Sequence, residues 1–128
     1  MIILYVAGAL LALVLVIALP IIGTIVIEYP FIIWGKVCDN KKFFVALNAL
    51  TNVSFNGIYL IFRFISEVLF SFSAARIWFL VAERLIIPPV EAVLYMQISS
   101  NSHLRIFLLT YLANIASCAL GIVIFGFV

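Results

Sequence analysis

The longest uncharged segment of the chain, Met1–Ile27, restricts the fold more than any other feature. A second uncharged segment follows Arg105 and continues to Val128. A helix that crosses a bilayer needs about 20 consecutive, mainly apolar residues. In the whole chain 68% of residues are hydrophobic and 9% are charged, against about 45–50% and about 25% in soluble domains. The sequence therefore predicts an integral membrane protein and excludes a soluble enzyme, a secreted disulfide scaffold and a disordered protein.

Short polar segments divide the chain into four apolar stretches. Gly35–Lys42 and Ser99–His103 are clear polar loops, and a weaker break lies near Phe70–Ala75. Since lipid offers the backbone no hydrogen-bonding partner, each apolar stretch should be helical. We predict an all-α fold in a single domain, residues 1–128, whose four helices form two tandem hairpins of the same orientation, a parallel internal repeat. The predicted transmembrane helices cover residues 2–34, 43–69, 76–98 and 104–127.

The basic residues predict how the chain is oriented in the membrane. The two tip loops, Lys36–Lys42 and Ser99–Arg105, connect the helices of each hairpin. They contain four basic residues, whereas the opposite end of the bundle offers Arg63 and Arg76. Cytoplasmic loops carry an excess of Lys and Arg. We therefore expect the tip loops in the cytoplasm and both termini on the other side of the membrane.

Rare polar residues recur at matching positions in the two hairpins. Glu28 precedes Asn52 by 24 residues, and Glu91 precedes Asn114 by 23 residues. At about 1.5 Å of rise per residue, all four lie about 12–15 Å below the tip loops. That depth is close to the middle of a hydrocarbon core about 30 Å thick. We therefore predict that these four side chains face the protein interior in one layer.

Asparagines and prolines extend this pattern. Asn48, Asn52 and Asn56 recur every four residues, which places them along one side of a helix. Prolines near each glutamate remove backbone donors and weaken the two acidic helices. The candidate intramembrane polar or ion site therefore consists of Glu28, Asn48, Asn52, Asn56, Glu91 and Asn114.

Two interpretations of this candidate site remain open. An intramembrane acid is costly and usually faces the bundle interior, where it marks an ion or proton pathway. Two carboxylates with amide oxygens and freed carbonyls could bind a cation or carry protons. Alternatively, the residues are structural: Glu91 pairs with Arg84, a protonated Glu28 bonds to an asparagine, and the asparagines hold helices together.

A second group of charged residues is predicted toward the opposite end of the bundle. Glu83 and Arg84 are adjacent, and neighbouring side chains diverge by about 100° on a helix. Each of them should therefore find another partner rather than pair with the other. The predicted outer ion-pair cluster consists of Arg63, Glu67, Arg76, Glu83 and Arg84. The same cluster could instead bind a lipid head group or a partner subunit.

The sequence offers no constellation for catalysis. His103 is the only histidine, no nucleophile–base pair is evident, and known catalytic and phosphate-binding motifs are missing. We therefore predict no enzymatic activity, no cofactor and no metal site. No basic cluster is dense enough to bind nucleic acid, so the expected partners are the lipid bilayer and either further copies of the chain or other membrane subunits.

Two hypotheses for the function follow from these observations. The first is a transport or permeation component with a midplane polar site built from Glu28 and Glu91, which would need a homo-oligomer because four helices leave little room for a route. The second is a non-catalytic structural or accessory subunit of a larger membrane protein complex. Extramembrane sequence is scarce, which suits a chain that acts through helix contacts alone.

Overall fold

The computed structural model describes the backbone of residues 2–69 and 72–125 and the side chains of residues 3–15, 18–65 and 81–123. Throughout this part of the chain the regular structure is helical, which confirms the all-helical prediction. The helices are α1 (Ile2–Tyr29), α2 (Lys41–Leu69), α3 (Phe72–Met96) and α4 (His103–Phe125). A short π-helix, Pro30–Trp34, continues α1 without a break.

Among the described residues, three segments are long and apolar enough to cross a membrane: Ile3–Trp34, Lys41–Ile65 and His103–Val123. This finding is compatible with the prediction of a helical membrane protein. Helix α3 is 25 residues long and therefore extends for about 37 Å, but it contains Glu83, Arg84 and Glu91.

The four helices form a ring. α1 packs against α2 and α4, and α3 packs against the same two helices. Consequently α1 and α3 occupy opposite corners of the ring, with α2 and α4 between them. Side chains that point inward from all four helices can meet at its centre.

The buried apolar core lies toward the tip loops. It includes Ile32, Phe44, Tyr95 and Ile106, one from each quarter of the ring. By contrast, the first half of α1 is strongly exposed, with Ile3 at 84% of its maximal accessible area. Such exposed apolar surface is expected where lipid tails are the solvent, because burying it between helices then gains little.

The first tip loop is closely packed against the second hairpin. Arg105 donates from Nη2 to the carbonyl oxygen of Gly35 at 3.1 Å, and the amide of Asn101 donates to the carbonyl of Lys36. Asn40 then caps α2, because its Oδ1 accepts a hydrogen bond from the backbone N–H of Phe43 at 3.1 Å. These contacts fix the end of the bundle that lies nearest the buried polar residues.

Candidate functional site

A group of polar side chains is buried at the centre of the helix ring. It draws on all four helices: Glu28 from α1, Asn48 and Thr51 from α2, Glu91 and Tyr95 from α3, and Asn114 and Ser117 from α4; Thr51 is half-buried and the other six are buried. We call these seven residues the inner site. Both glutamates are only 1% exposed. Buried polar groups at this depth must find partners within the protein, since unpaired ones are costly.

Glu91 is held from both sides by the neighbouring helices. Thr51 Oγ1 on α2 donates to Glu91 Oε1 at 2.9 Å. Asn114 Nδ2 on α4 donates to Glu91 Oε2, also at 2.9 Å. Each carboxylate oxygen therefore has a donor, so the protein replaces much of the solvation that the carboxylate would have in water.

Only one carboxylate oxygen of Glu28 has a donor of standard geometry among the described residues. Ser117 Oγ on α4 donates to Glu28 Oε1 at 2.9 Å. Glu28 Oε2 is buried and completes no hydrogen bond of standard geometry with the described residues. The same is true of both amide atoms of Asn48 and of the Tyr95 hydroxyl. Asn48 lies beside both Glu28 and Tyr95, so these free polar atoms belong to one neighbourhood.

The two hydroxyls that hold the glutamates also have backbone acceptors within reach. Thr51 Oγ1 lies 3.0 Å from the carbonyl oxygen of Leu47, and Ser117 Oγ lies 3.0 Å from that of Asn114. A hydroxyl has one proton to donate and can also accept. Each hydroxyl can therefore donate to an ionised carboxylate, or turn to the backbone and accept a hydrogen bond from a protonated one. Rotation of a hydroxyl alone can therefore match these hydrogen bonds to either protonation state of the carboxylate.

Arg84 supplies a positive charge beside the inner site. Its Nη1 donates to the carbonyl oxygen of Asn114 at 3.3 Å, and the guanidinium is near enough to both inner glutamates to interact with their charge. The carboxylate that pairs with Arg84 is Glu83, at 3.5 Å. The expectation that these adjacent residues would not pair was wrong, because the long arginine side chain can fold back across the divergence of about 100° between neighbouring positions.

The asparagines of α2 do not share one environment. Asn48 is fully buried, Asn52 is half-buried and donates from Nδ2 to the carbonyl of Asn48 at 2.8 Å, and Asn56 is exposed. A spacing of four residues exceeds one turn by about 40°. The row of asparagines therefore turns away from the ring centre by about 80° between Asn48 and Asn56, and only its first member enters the inner site.

The predicted outer cluster is described only in part. Arg63 is exposed, and Glu83 and Arg84 form the pair given above. The side chains of Glu67 and Arg76 lie outside the described residues.

Three residues of the inner site, Thr51, Tyr95 and Ser117, are not in the predicted set. Thr51 follows Asn48 by three residues, Tyr95 follows Glu91 by four, and Ser117 follows Asn114 by three. Residues three and four apart share a helix face. Including the polar residue one turn after each predicted one would therefore have identified all three.

The donor set of the inner site consists of carboxylates, amides and hydroxyls. No group of three or more His, Cys, Asp or Glu side chains that could hold a metal ion occurs among the described residues. Oxygen ligands with a fixed negative charge suit protons and hard cations. No protein-family model matches the chain, and no curated protein or solved structure matches it either.

Proposed function

We propose that this chain is a small integral membrane protein that acts as a transport or permeation component for protons or small cations, with Glu28 and Glu91 as its ionisable groups. One observation supports this most strongly: two buried carboxylates lie at the centre of the helix ring and accept hydrogen bonds from helices of the opposite hairpin. Ionisable residues inside a membrane are rare, because they are costly, and usually mark a pathway.

The proposal includes four membrane spans, with α3 as the third in chain order, and a parallel repeat of two hairpins, α1–α2 and α3–α4. The hydrogen bonds support the repeat because they are reciprocal. Glu28 of the first hairpin accepts from Ser117 of the second, and Glu91 of the second accepts from Thr51 of the first. Burial supports it as well, since matching positions are buried in both hairpins: Glu28 and Glu91, Ile32 and Tyr95, Phe44 and Ile106, and Asn48 and Thr110.

The repeat has a consequence for the site. Two hairpins of the same orientation are related by a pseudo-two-fold axis along the membrane normal. In such an arrangement both glutamates lie near the axis and at one depth. We propose that the tip loops face the cytoplasm, in keeping with their basic residues, and that a homo-oligomer completes the route, since one ring of four helices is narrow.

A subunit role is the second candidate, and the exposed half of α1 favours it. Ile3, Leu4 and Tyr5 are each more than 70% exposed, so this apolar helix surface is available to another membrane protein as well as to lipid. On this alternative the chain is a non-catalytic accessory subunit and the inner site only holds its helices together. Native mass spectrometry of the protein extracted from its own membrane separates the two candidates, because transport by this chain predicts an oligomer of identical subunits and the alternative predicts other subunits.

Flux into proteoliposomes tests the proposed function. We expect purified protein to conduct protons or alkali cations, and we expect Glu28→Gln or Glu91→Gln to reduce the flux strongly. Asp39→Asn is the matched control, because it removes one carboxylate from an exposed position in the first tip loop. Equal flux in all three variants, each shown to be folded by circular dichroism, would refute the proposal.

A further inference from the structure

We infer that the free side of Glu28 forms a binding site for a monovalent alkali cation, with the side-chain amide oxygen of Asn48 and the hydroxyl of Tyr95 as further ligands. This inference deepens the proposed function and rests on it, since it names the chemical class of the species that the inner site accepts.

The first support is the set of polar atoms that lack a partner. Glu28 Oε2, Asn48 Oδ1 and the Tyr95 hydroxyl are all buried and complete no standard hydrogen bond among the described residues. Buried polar groups are hydrogen-bonded in the great majority of cases, so each exception needs an explanation. Two nitrogens, Asn48 Nδ2 and Arg84 Nε, also complete no standard hydrogen bond among the described residues. The three oxygens are neighbours, because the Asn48 side chain interacts with both Glu28 and Tyr95, and one bound cation that contacts all three explains them together.

The contrast between the two glutamates supports the same assignment. Glu91 has a donor on each oxygen, from Thr51 and Asn114, so its coordination is complete without a ligand. Glu28 has a donor of standard geometry on Oε1, whereas its Oε2 completes no standard hydrogen bond among the described residues. The free oxygen of Glu28 therefore marks where a ligand binds.

The positions of the remaining ligands are fixed by packing. The ring of Tyr95 lies edge-on to that of Phe43, with centroids 6.3 Å apart, which limits where its hydroxyl can point. The side chain of Asn48 interacts with both Glu28 and Tyr95, and its Nδ2 can donate to the Tyr95 hydroxyl oxygen while Oδ1 faces the cation. The π-helix begins at Pro30, two residues after Glu28, and such segments frequently accompany functional sites.

The ligand chemistry selects a singly charged cation. Zinc and other soft metals favour Cys and His ligands, which these three residues do not provide. Calcium takes about six to eight oxygen ligands, several of them from carboxylates. One free carboxylate oxygen with two neutral oxygens instead balances a single positive charge, and membrane transporters also coordinate sodium through oxygen atoms, there backbone carbonyls, near the bilayer midplane.

Thermal unfolding of the purified full chain in detergent tests the inference. A ligand that binds only the folded state stabilises it by RT ln(1 + L/Kd) at free ligand concentration L, so Tm keeps rising with the logarithm of ligand concentration above Kd. We expect sodium or potassium chloride to raise Tm above the value in choline chloride at equal ionic strength, with this logarithmic dependence on concentration. Glu28→Gln should abolish this rise, whereas Glu91→Gln should leave a clear rise, because the oxygens of Glu91 already have donors.

Tyr95→Phe is the most specific test, because it removes only the hydroxyl that is proposed as a ligand. Tyr5→Phe is its matched control at an exposed position. Removing a hydroxyl that completes no standard hydrogen bond among the described residues should keep or raise Tm in choline chloride. The same change should weaken the alkali-cation response by about 10-fold in apparent Kd, the loss of one good ligand contact. Tyr5→Phe should behave as the unchanged protein does.

Two outcomes would overturn the inference: no alkali-specific rise in Tm of the unchanged protein, or an equal rise in the unchanged protein and in Tyr95→Phe. Flux measurements keep this result separate from the proposed function. Proton flux without alkali-dependent stabilisation would refute the cation site and support the proposed transport function. Alkali-dependent stabilisation without any flux would support the cation site and refute the transport function.

Discussion

Thr51→Val tests the hydrogen bonds that join the two hairpins. The change removes the hydroxyl that donates to Glu91 Oε1 at 2.9 Å and keeps the shape of the side chain. A buried acceptor that loses its donor costs about 1–3 kcal/mol, while hydrogen bonds between membrane helices average about 0.6 kcal/mol with a maximum near 1.7. Because Glu91 keeps its bond from Asn114, we expect the free energy of unfolding to fall by about 1–1.5 kcal/mol.

The assay is equilibrium unfolding in mixed micelles, with increasing dodecyl sulfate and circular dichroism as the signal. A double-mutant cycle with Glu91→Leu isolates the contact, because leucine cannot accept the hydrogen bond and residues in direct contact show coupling of about 0.5–3 kcal/mol. Ser54→Ala, which removes an exposed hydroxyl from the same helix, is the control and should change the unfolding free energy by less than about 0.5 kcal/mol. A coupling free energy of zero between Thr51 and Glu91 would refute the cross-hairpin bond.

Two further predictions concern the tip loops and their surroundings. Gly35→Ala should destabilise the fold by about 1–3 kcal/mol, because the added Cβ would lie 2.9 Å from Leu109 Cδ1 and closer still to the carbonyl oxygen of Phe31; the unfolding midpoint measures this. Burial raises the pKa of the Cys38 thiol, so its contribution to stability is present below the ordinary pKa of a thiol and is lost as pH rises above it. Stability should therefore fall more steeply at alkaline pH in the unchanged protein than in Cys38→Ala, and equal slopes would contradict the assignment.

The sequence predicts the helices well because their signal is local. Uncharged runs such as Met1–Ile27 are sufficient to predict a long apolar helix that could span a membrane, and polar loops mark where it ends. The two glutamates were also accessible to sequence reasoning, since an acid in an apolar stretch is expensive and must be accommodated. In the structure Glu28 and Glu91 are both buried.

Side-chain details were less predictable because they depend on how helices meet. Regular spacing suggested one polar row from Asn48 to Asn56, but a drift of about 40° for every four residues turns the later members outward. Neither Thr51 nor Tyr95 is unusual in a membrane helix by composition. Their importance arises only from what packs against them, which is set by the ring of four helices and not by local spacing.

Burial within the first tip loop was also not predictable from local sequence. Cys38 lies in a polar segment, yet its side chain is 1% exposed. The π-helix directs the chain back toward the bundle, where Val37 and Cys38 both donate backbone hydrogen bonds to the carbonyl oxygen of Ile32. A loop that is polar by composition can therefore contribute to the core.

The measurement that tests the central claim most directly is flux in a double variant of the inner site. If Glu28 and Glu91 act as one unit, their effects are non-additive, as for groups that work together in a single step. Proteoliposome flux should then fall nearly as far in Glu28→Gln alone, or in Glu91→Gln alone, as in the protein that contains both changes. Unchanged flux in the folded double variant would contradict the account, and so would losses that simply multiply.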